Sequence, residues 1–270
     1  MLDARSICRS IAEMHSLLCS LRAEPPLQVR FPGATAFMRP GEDSASPSSS
    51  ANRLMVYDPA NVDPVETARL ALPAFAAAGI RHWFLEMGAG ITAEQARRVT
   101  REFGARPRTR VRYPVLARVP AGVPPVETTL EIRRPNVEEV LKHAAEIDAI
   151  WSTPGAAASM VNAMARPANF TPVLGLADGR AVAMGMLVVG DTPGGLAYLS
   201  AGGTHPDFRN RGGQSAIIAE RVRIAHKLGR DVCTSETVLA DSASTANLIR
   251  AGFAVVFEWQ ILEFGHLSTS

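Results

Sequence analysis

The sequence predicts an α/β (α+β) protein built from two similar halves, each a mixed, twisted sheet flanked by helices. Three observations carry that expectation. Segments with the 3.6-residue apolar period of helices alternate with short apolar runs of strand length throughout the 270 residues. Two stretches echo one another: Ala-Ala-Ala-Gly-Ile-Arg-His-Trp-Phe-Leu-Glu at 76–86 and His-Lys-Leu-Gly-Arg-Asp-Val-Cys-Thr-Ser-Glu at 226–236. In both, a helix ends at glycine (Gly79, Gly229) and a glutamate follows seven residues later at a strand end (Glu86, Glu236). Between the halves, Val119-Pro120-Ala121-Gly122-Val123-Pro124-Pro125 has the proline and glycine density of a semi-rigid linker. The expected division is 1–119, a linker at 120–128, and 129–270.

In the first half the apolar spacing gives an amphipathic helix over Asp3–Leu21 and strands near Leu27–Phe31 and Arg53–Tyr57. The serine-rich run Gly41–Ala51 reads as a mobile loop. A helix at Pro64–Ala78, a strand at Arg81–Glu86, a helix at Thr92–Phe103 and a strand at Thr109–Arg118 complete this half. In the second half a strand near Thr129–Arg133 precedes helices around Val137–Ile150 and Ala156–Met164. Strands Pro172–Leu176 and Ala181–Val189 turn at Asp178-Gly179. Leu196–Gly203 is a short buried strand stopped by Pro206 and Asp207. Ser215–Leu228 is a helix with Ile217, Ile218, Val222, Ile224, Ala225 and Leu228 mostly on one face, and Glu220, Arg221, Arg223 and Lys227 largely away from it. A strand at Asp231–Thr237, a helix near Ser244 and a strand including Trp259–Leu262 follow.

Composition limits the classes of function. Hydrophobic residues at 47% supply real cores, and a net charge of +2 with pI near 8.6 gives no reason to expect a nucleic-acid partner. Cys8, Cys19 and Cys233 have neither metal-ligand spacing nor the even count of a disulfide framework, so no metal is expected and a reducing, cytoplasmic setting is. No run approaches the ~20 apolar residues of a membrane span.

The most informative stretch is His205-Pro206-Asp207-Phe208-Arg209-Asn210-Arg211-Gly212-Gly213-Gln214-Ser215-Ala216, between strand and helix. Two arginines, two glycines and the free N–H groups of a helix's first turn suit a diphosphate. Arg209-x-x-Gly212-x-Gln214 resembles the Arg/Gln-x-x-Gly-x-Gly/Ala signature of the GNAT superfamily of acyl-CoA-dependent N-acyltransferases. Ser244-x-x-Asn247-Leu248-Ile249-Arg250-Ala251-Gly252-Phe253 resembles that superfamily's last helix and Gly-Phe turn. The resemblance covers about Thr129–Phe264. Extended by the repeat, it implies tandem GNAT-like halves with mostly antiparallel sheets, the first degenerate because Asp58-Pro59-Ala60-Asn61-Val62-Asp63 is acidic where a phosphate turn would stand.

The resemblance implies acetyl-CoA or another short acyl-CoA, its diphosphate on the turn (Arg209, Asn210, Arg211, Gly212, Gly213, Gln214, Ser215) and its pantetheine along Ala201, Gly202, Gly203 and Thr204. Asn247 is expected near the pantetheine arm or as a helix cap. Two departures stand out: Gln214 replaces the last small residue of the signature, and Leu248 stands where many members have a tyrosine that protonates the leaving thiolate. As general base we expect Glu236 first, with a structural role as its alternative, then His205. Tyr198, Ser200, Asp241 and Ser244 are weaker candidates, Ser244 reading better as an N-cap. The expected activity is N-acyltransfer, most simply N-acetyltransfer, to a small amine or amino-acid-like acceptor. The alternatives are a catalytically silent acyl-CoA-binding sensor or interaction module, and a transferase acting on a protein. A homodimer is left open.

Overall fold

In a computed structural model, residues 3–21, 24–41, 52–107, 113–123, 126–151, 154–191, 195–238 and 242–265 are described. The expected loop at 41–51 lies outside them apart from Gly41, as does Asp241.

Helix α1 (Ala4–Cys19) begins at Asp3, whose carboxylate accepts the main-chain N–H of Arg5 and Ser6 at 2.9 Å. Strands β1 (Leu27–Phe31) and β2 (Ala34–Met38) form a hairpin through Gly33 at φ +63°, and β2 runs antiparallel to β3 (Arg53–Val56). Next come α2 (Pro64–Ala77), β4 (Trp83–Met87), α3 (Ala93–Phe103), the two-residue β5 (Arg106–Pro107) and β6 (Tyr113–Arg118). The second half holds β7 (Glu131–Arg133), α4 (Val137–Lys142), α5 (Ala144–Trp151), α6 (Ala156–Met164), β8 (Phe170–Ala177), β9 (Arg180–Val189), β10 (Leu196–Thr204), α7 (Gly213–Lys227), β11 (Val232–Glu236), α8 (Ala243–Arg250) and β12 (Ala254–Phe264).

Among the described residues these strands make one sheet in the order β1-β2-β3-β4-β12-β6-β11-β10-β9-β8-β7, with β5 on β12. Two pairs are parallel, β3/β4 and β10/β11, each joined through a helix (α2, α7). They are the repeat seen in the sequence, now in three dimensions. The central order β3-β4-β12-β6-β11-β10 is palindromic in kind, because the last strand of each half has crossed over. β12 lies on β4, pairing Gln260 with Met87 and Phe264 with Trp83, while β6 lies on β11, pairing Cys233 with Arg118 and Glu236 with Val115. The hydrogen bonds of the sheet therefore cross the division proposed at 120–128.

Period-2 alternation sends Leu196 and Tyr198 to one face, under α1, α5 and α6, and Ala197 and Leu199 to the other, under α7. The core beneath α1 mixes the halves, bringing Ile11 and Met14 together with Met55 and Phe84 on one side and Met186 and Trp259 on the other.

Several elements differ from the sequence reading. β2 was not expected, although Pro32-Gly33 ahead of a fully buried run is a hairpin turn. The single helix expected over Val137–Ile150 is two, broken at His143 (φ −103°, ψ 19°). α7 begins at Gly213 rather than Ser215, and α8 is capped by Ser242, which accepts Thr245 N–H at 3.2 Å, so Ser244 is not the cap.

Candidate active site

Parallel pairing of β10 with β11 stops at Tyr198–Thr234. Beyond it β10 stays with β9 through a bulge between Ser200 and Gly203, in which Ala201 takes φ +51°. The strands diverge, and a cleft opens at their carboxyl ends, where open α/β sheets place their ligands. Its outer part, about 640 Å³, is lined by Gly202, Gly203, Thr204, Arg209, Asn210, Gly212, Gly213, Gln214, Ser215 and Asn247, together with Trp151, Phe208, Ser244 and Arg250. Ten of the expected cofactor residues are thus brought together. Ala201 lines the inner pockets instead, and Arg211 turns away: its guanidinium lies 5.0 Å from the Phe208 ring and its carbonyl accepts the Thr128 hydroxyl.

At one corner of the cleft, Gly212 precedes α7 at φ +74° with no side-chain cap, and the first intrahelical bond is Ala216 N–H to Gly212 O at 2.9 Å. The N–H groups of Gly213, Gln214 and Ser215 have no partner among the described residues, as expected of a helix's first turn. Thr204 Oγ1 is buried without a hydrogen bond in the same wall. Exposed Arg209 stands at the rim. This donor set fits a diphosphate. The glycines have a further reason to be there: a Cβ at Gly212 would lie 2.4 Å from the Glu127 carbonyl oxygen, and one at Gly213 would lie 2.7 Å from Leu130. The turn is shaped by its packing against 127–130 as much as by any ligand. Asn247 donates to Gln214 Oε1 and accepts from Arg250, while Gln214 donates to Ser244 Oγ at 3.0 Å. The Asn247 amide ties α8 to α7 at the edge of the cleft, with its nitrogen and its oxygen each engaged.

Deeper in, a pocket of about 340 Å³ is lined by Tyr198, Ser200, Gly202, Arg221, Glu236 and Leu248, among others. Leu248 is 4% exposed and closes its floor, so the position of the absent tyrosine is apolar. Arg221, expected on the outer face of α7, is buried instead. Sharing Trp151, Tyr198, Ser200 and Ala201 with this pocket is another of about 410 Å³, formed by His15, Leu18 and Leu21 of the first half with Met160, Met184 and Met186 of the second.

Glu236 stands at the junction. Tyr198 donates to its Oε2 at 2.6 Å, His15 Nε2 lies 2.8 Å from the same oxygen, and Trp259 Nε1–H donates to Oε1. His15 Nδ1 faces Arg53 Nη2 at 2.8 Å, and Arg53 pairs with Glu86 at 3.2 Å. A guanidinium only donates, so Nδ1 accepts and the imidazole proton sits on Nε2, pointing at Glu236. The two glutamates of the sequence repeat are thereby joined through one buried chain, Glu86–Arg53–His15–Glu236. Burial opposes ionisation of Glu236, but the hydrogen bonds from His15 and Tyr198 and the charge of Arg53 outweigh it and hold its pKa below the ordinary carboxylate value. A carboxylate that weakly basic, with its oxygens already accepting, is suited to anchoring its neighbours and poorly suited to taking a proton. Tyr198 is pushed the other way, well above its ordinary value, by burial and by Glu236. His205 lies off the cleft: its Nδ1 accepts Asp207 N–H at 3.4 Å, capping a short 3₁₀ turn (Pro206–Phe208).

No family model matches the chain and no curated protein matches it. Solved structures do. A GCN5-related N-acetyltransferase from Kribbella flavida superposes with a TM-score of 0.64 at 18% identity over 98% of this chain and 97% of that one. A GCN5-related N-acetyltransferase from Sphaerobacter thermophilus gives 0.58 at 14% identity, over 86% and 76%. A tandem GNAT protein from the clavulanic acid biosynthesis pathway gives 0.55 at 13%, over 95% and 94%.

Proposed function

We propose, for a chain whose fold is that of the tandem GCN5-related N-acetyltransferases, that it transfers an acyl group from acetyl-CoA or another short acyl-CoA to the amine of a small acceptor. The observation that carries this reading is the uncapped α7 N-terminus beside Arg209 and the orphaned Thr204 hydroxyl, all opening on the β10/β11 divergence. The three first-turn N–H groups and Arg209 would hold the diphosphate, and the β10 bulge would receive the pantetheine arm. Acyl-CoA supplies an activated carbonyl, and this chain's residues position it and exclude water. The pocket built from α1, α6 and β9 is mostly aliphatic and methionine-lined, which favours an acceptor with an apolar body. Glu236 holds His15 and Tyr198 in that pocket's wall rather than acting as base, and the acceptor amine loses its proton to water.

The test uses the full-length protein. Titration calorimetry with acetyl-CoA should show binding, and Arg209→Glu, an exposed reversal of charge at the rim, should weaken it by more than about tenfold with the melting temperature unchanged. Unaltered affinity would remove the phosphate assignment. A second reading, an acyl-CoA-binding module without turnover, draws support from Leu248 and from the weak basicity of Glu236. Binding of acetyl-CoA with no thiol release across a panel of amines would favour it.

A further inference from the structure

Arg221 is a buried charge with no counter-ion among the described residues. It lies within α7 at 3% exposure, donating from Nε to Ile217 O at 3.2 Å and from Nη1 to Ser200 O at 2.8 Å and Met186 O at 3.3 Å. Two glycines on neighbouring strands make room for it. A Cβ at Gly185 would lie 2.8 Å from the guanidinium carbon, and one at Gly202 3.2 Å from Nη2. No carboxylate among the described residues pairs with it, and burial lowers its pKa to about 10, which leaves it charged at neutral pH. A buried cation without a counter-ion is costly. Nη2 has no hydrogen-bond partner among the described residues, and Arg221 lines the inner pocket beside Ser200, Gly202 and Leu248.

We propose that Arg221 stabilises the negative charge of the sulfur leaving CoA, an inference that rests on the acyl-CoA reading above. In the transfer, the amine nitrogen forms a bond to the acyl carbon, the C–S bond breaks with its electron pair passing to sulfur, and the proton lost from nitrogen goes to water. Leu248 has no proton to give and Tyr198 already commits its own to Glu236, so sulfur departs as thiolate. A guanidinium fixed in a low-dielectric wall is the counter-charge that makes this departure easier. The other ionisable groups facing the pocket do not serve. Glu236 on β11 is negative and already matched by His15, Tyr198, Trp259 and Arg53. Tyr198 on β10 is neutral, and the thiol of Cys233, behind the wall on β11, is raised by burial to about 12. α8, α5 and β9 present Ser244, Leu248, Trp151 and Met186, none of them ionisable.

The experiment needs no knowledge of the acceptor. CoA and desulfo-CoA, which lacks the thiol, are titrated into the full-length protein between about pH 6 and 9, and ionisation of the bound thiol is followed by its ultraviolet thiolate absorbance. In the wild type the bound thiol should ionise about 1–3 units below its free value, and CoA should bind about tenfold or more tighter than desulfo-CoA at the alkaline end. In Arg221→Met both ligands should still bind, with the preference gone and the thiol titrating as in free CoA. Arg221→Lys should restore part of the shift. The methionine removes an uncompensated buried cation but also the donor to the Ser200 and Met186 carbonyls, so the variant should fold with a lowered melting temperature. Should the methionine variant fail to fold, the wild-type titration decides alone. Equal wild-type affinity for the two ligands, or an unshifted thiol, would overturn the proposal. Failure of both ligands to bind would instead remove the acyl-CoA reading beneath it.

Discussion

At the scale of single residues, Glu236 shows how a strand-end glutamate is judged by its partners. Its ordinary carboxyl pKa of 4.5 falls to about 2 in the folded chain, so folding is favoured by its ionised form. The sign follows: this stabilisation is complete above about pH 4.5 and is lost as the pH falls toward 2. Glu236→Gln should therefore lower the melting temperature at pH 7 and flatten the acid limb of the stability curve between those two values. An unchanged acid limb would mean that the carboxylate is not anchored as described. The sequence marked Glu236 through its echo at Glu86, and it marked the turn residues through their chemistry. It did not disclose His15, Arg53 or Trp259 as partners, because His15 meets Glu236 across 221 residues and no local pattern reports such a distance. Arg221 was hidden for a related reason. Helical periodicity placed it on the polar side of α7, and only the glycines at 185 and 202 on other strands show that the sheet has a slot for it.

At the scale of elements, the turn into α7 was legible as a turn, and its glycines were legible as glycines. What they pack against was not. Gly212 combines φ +74° with a main-chain oxygen 2.4 Å from where a Cβ would stand, so Gly212→Ala should destabilise the protein by about 1–3 kcal/mol with no ligand present. Thermal unfolding of the ligand-free variant checks this, and a loss confined to CoA binding would return the glycine to a purely cofactor-facing role. The helices and strands with long, strongly periodic runs lie close to where the sequence put them. β2 was missed since its residues are buried on both faces and show no alternation, and the break at His143 was missed since the apolar spacing of α4 continues into α5.

At the scale of the whole molecule, the pairing of two halves was visible in the repeat, whereas the exchange of their last strands was not, because either partner would satisfy the same apolar pattern. The exchange predicts that the halves do not stand alone. Residues 129–270 without β6 leave β11 and β12 with no strand between them, and residues 1–128 leave β4 and β6 without β12. Each piece expressed singly should aggregate, while the two expressed together should co-purify as a folded pair; a soluble, cooperatively unfolding 129–270 fragment would contradict this. The same exchange constrains the order of events at the ribosome. β4 emerges early, yet the edge it presents has no partner until β12 is made, roughly ten to thirty seconds later at ordinary elongation rates. During that interval the nascent chain must shelter an unpaired strand edge, which makes the rate of translation between Met87 and Ala254 a determinant of how much protein reaches the native state.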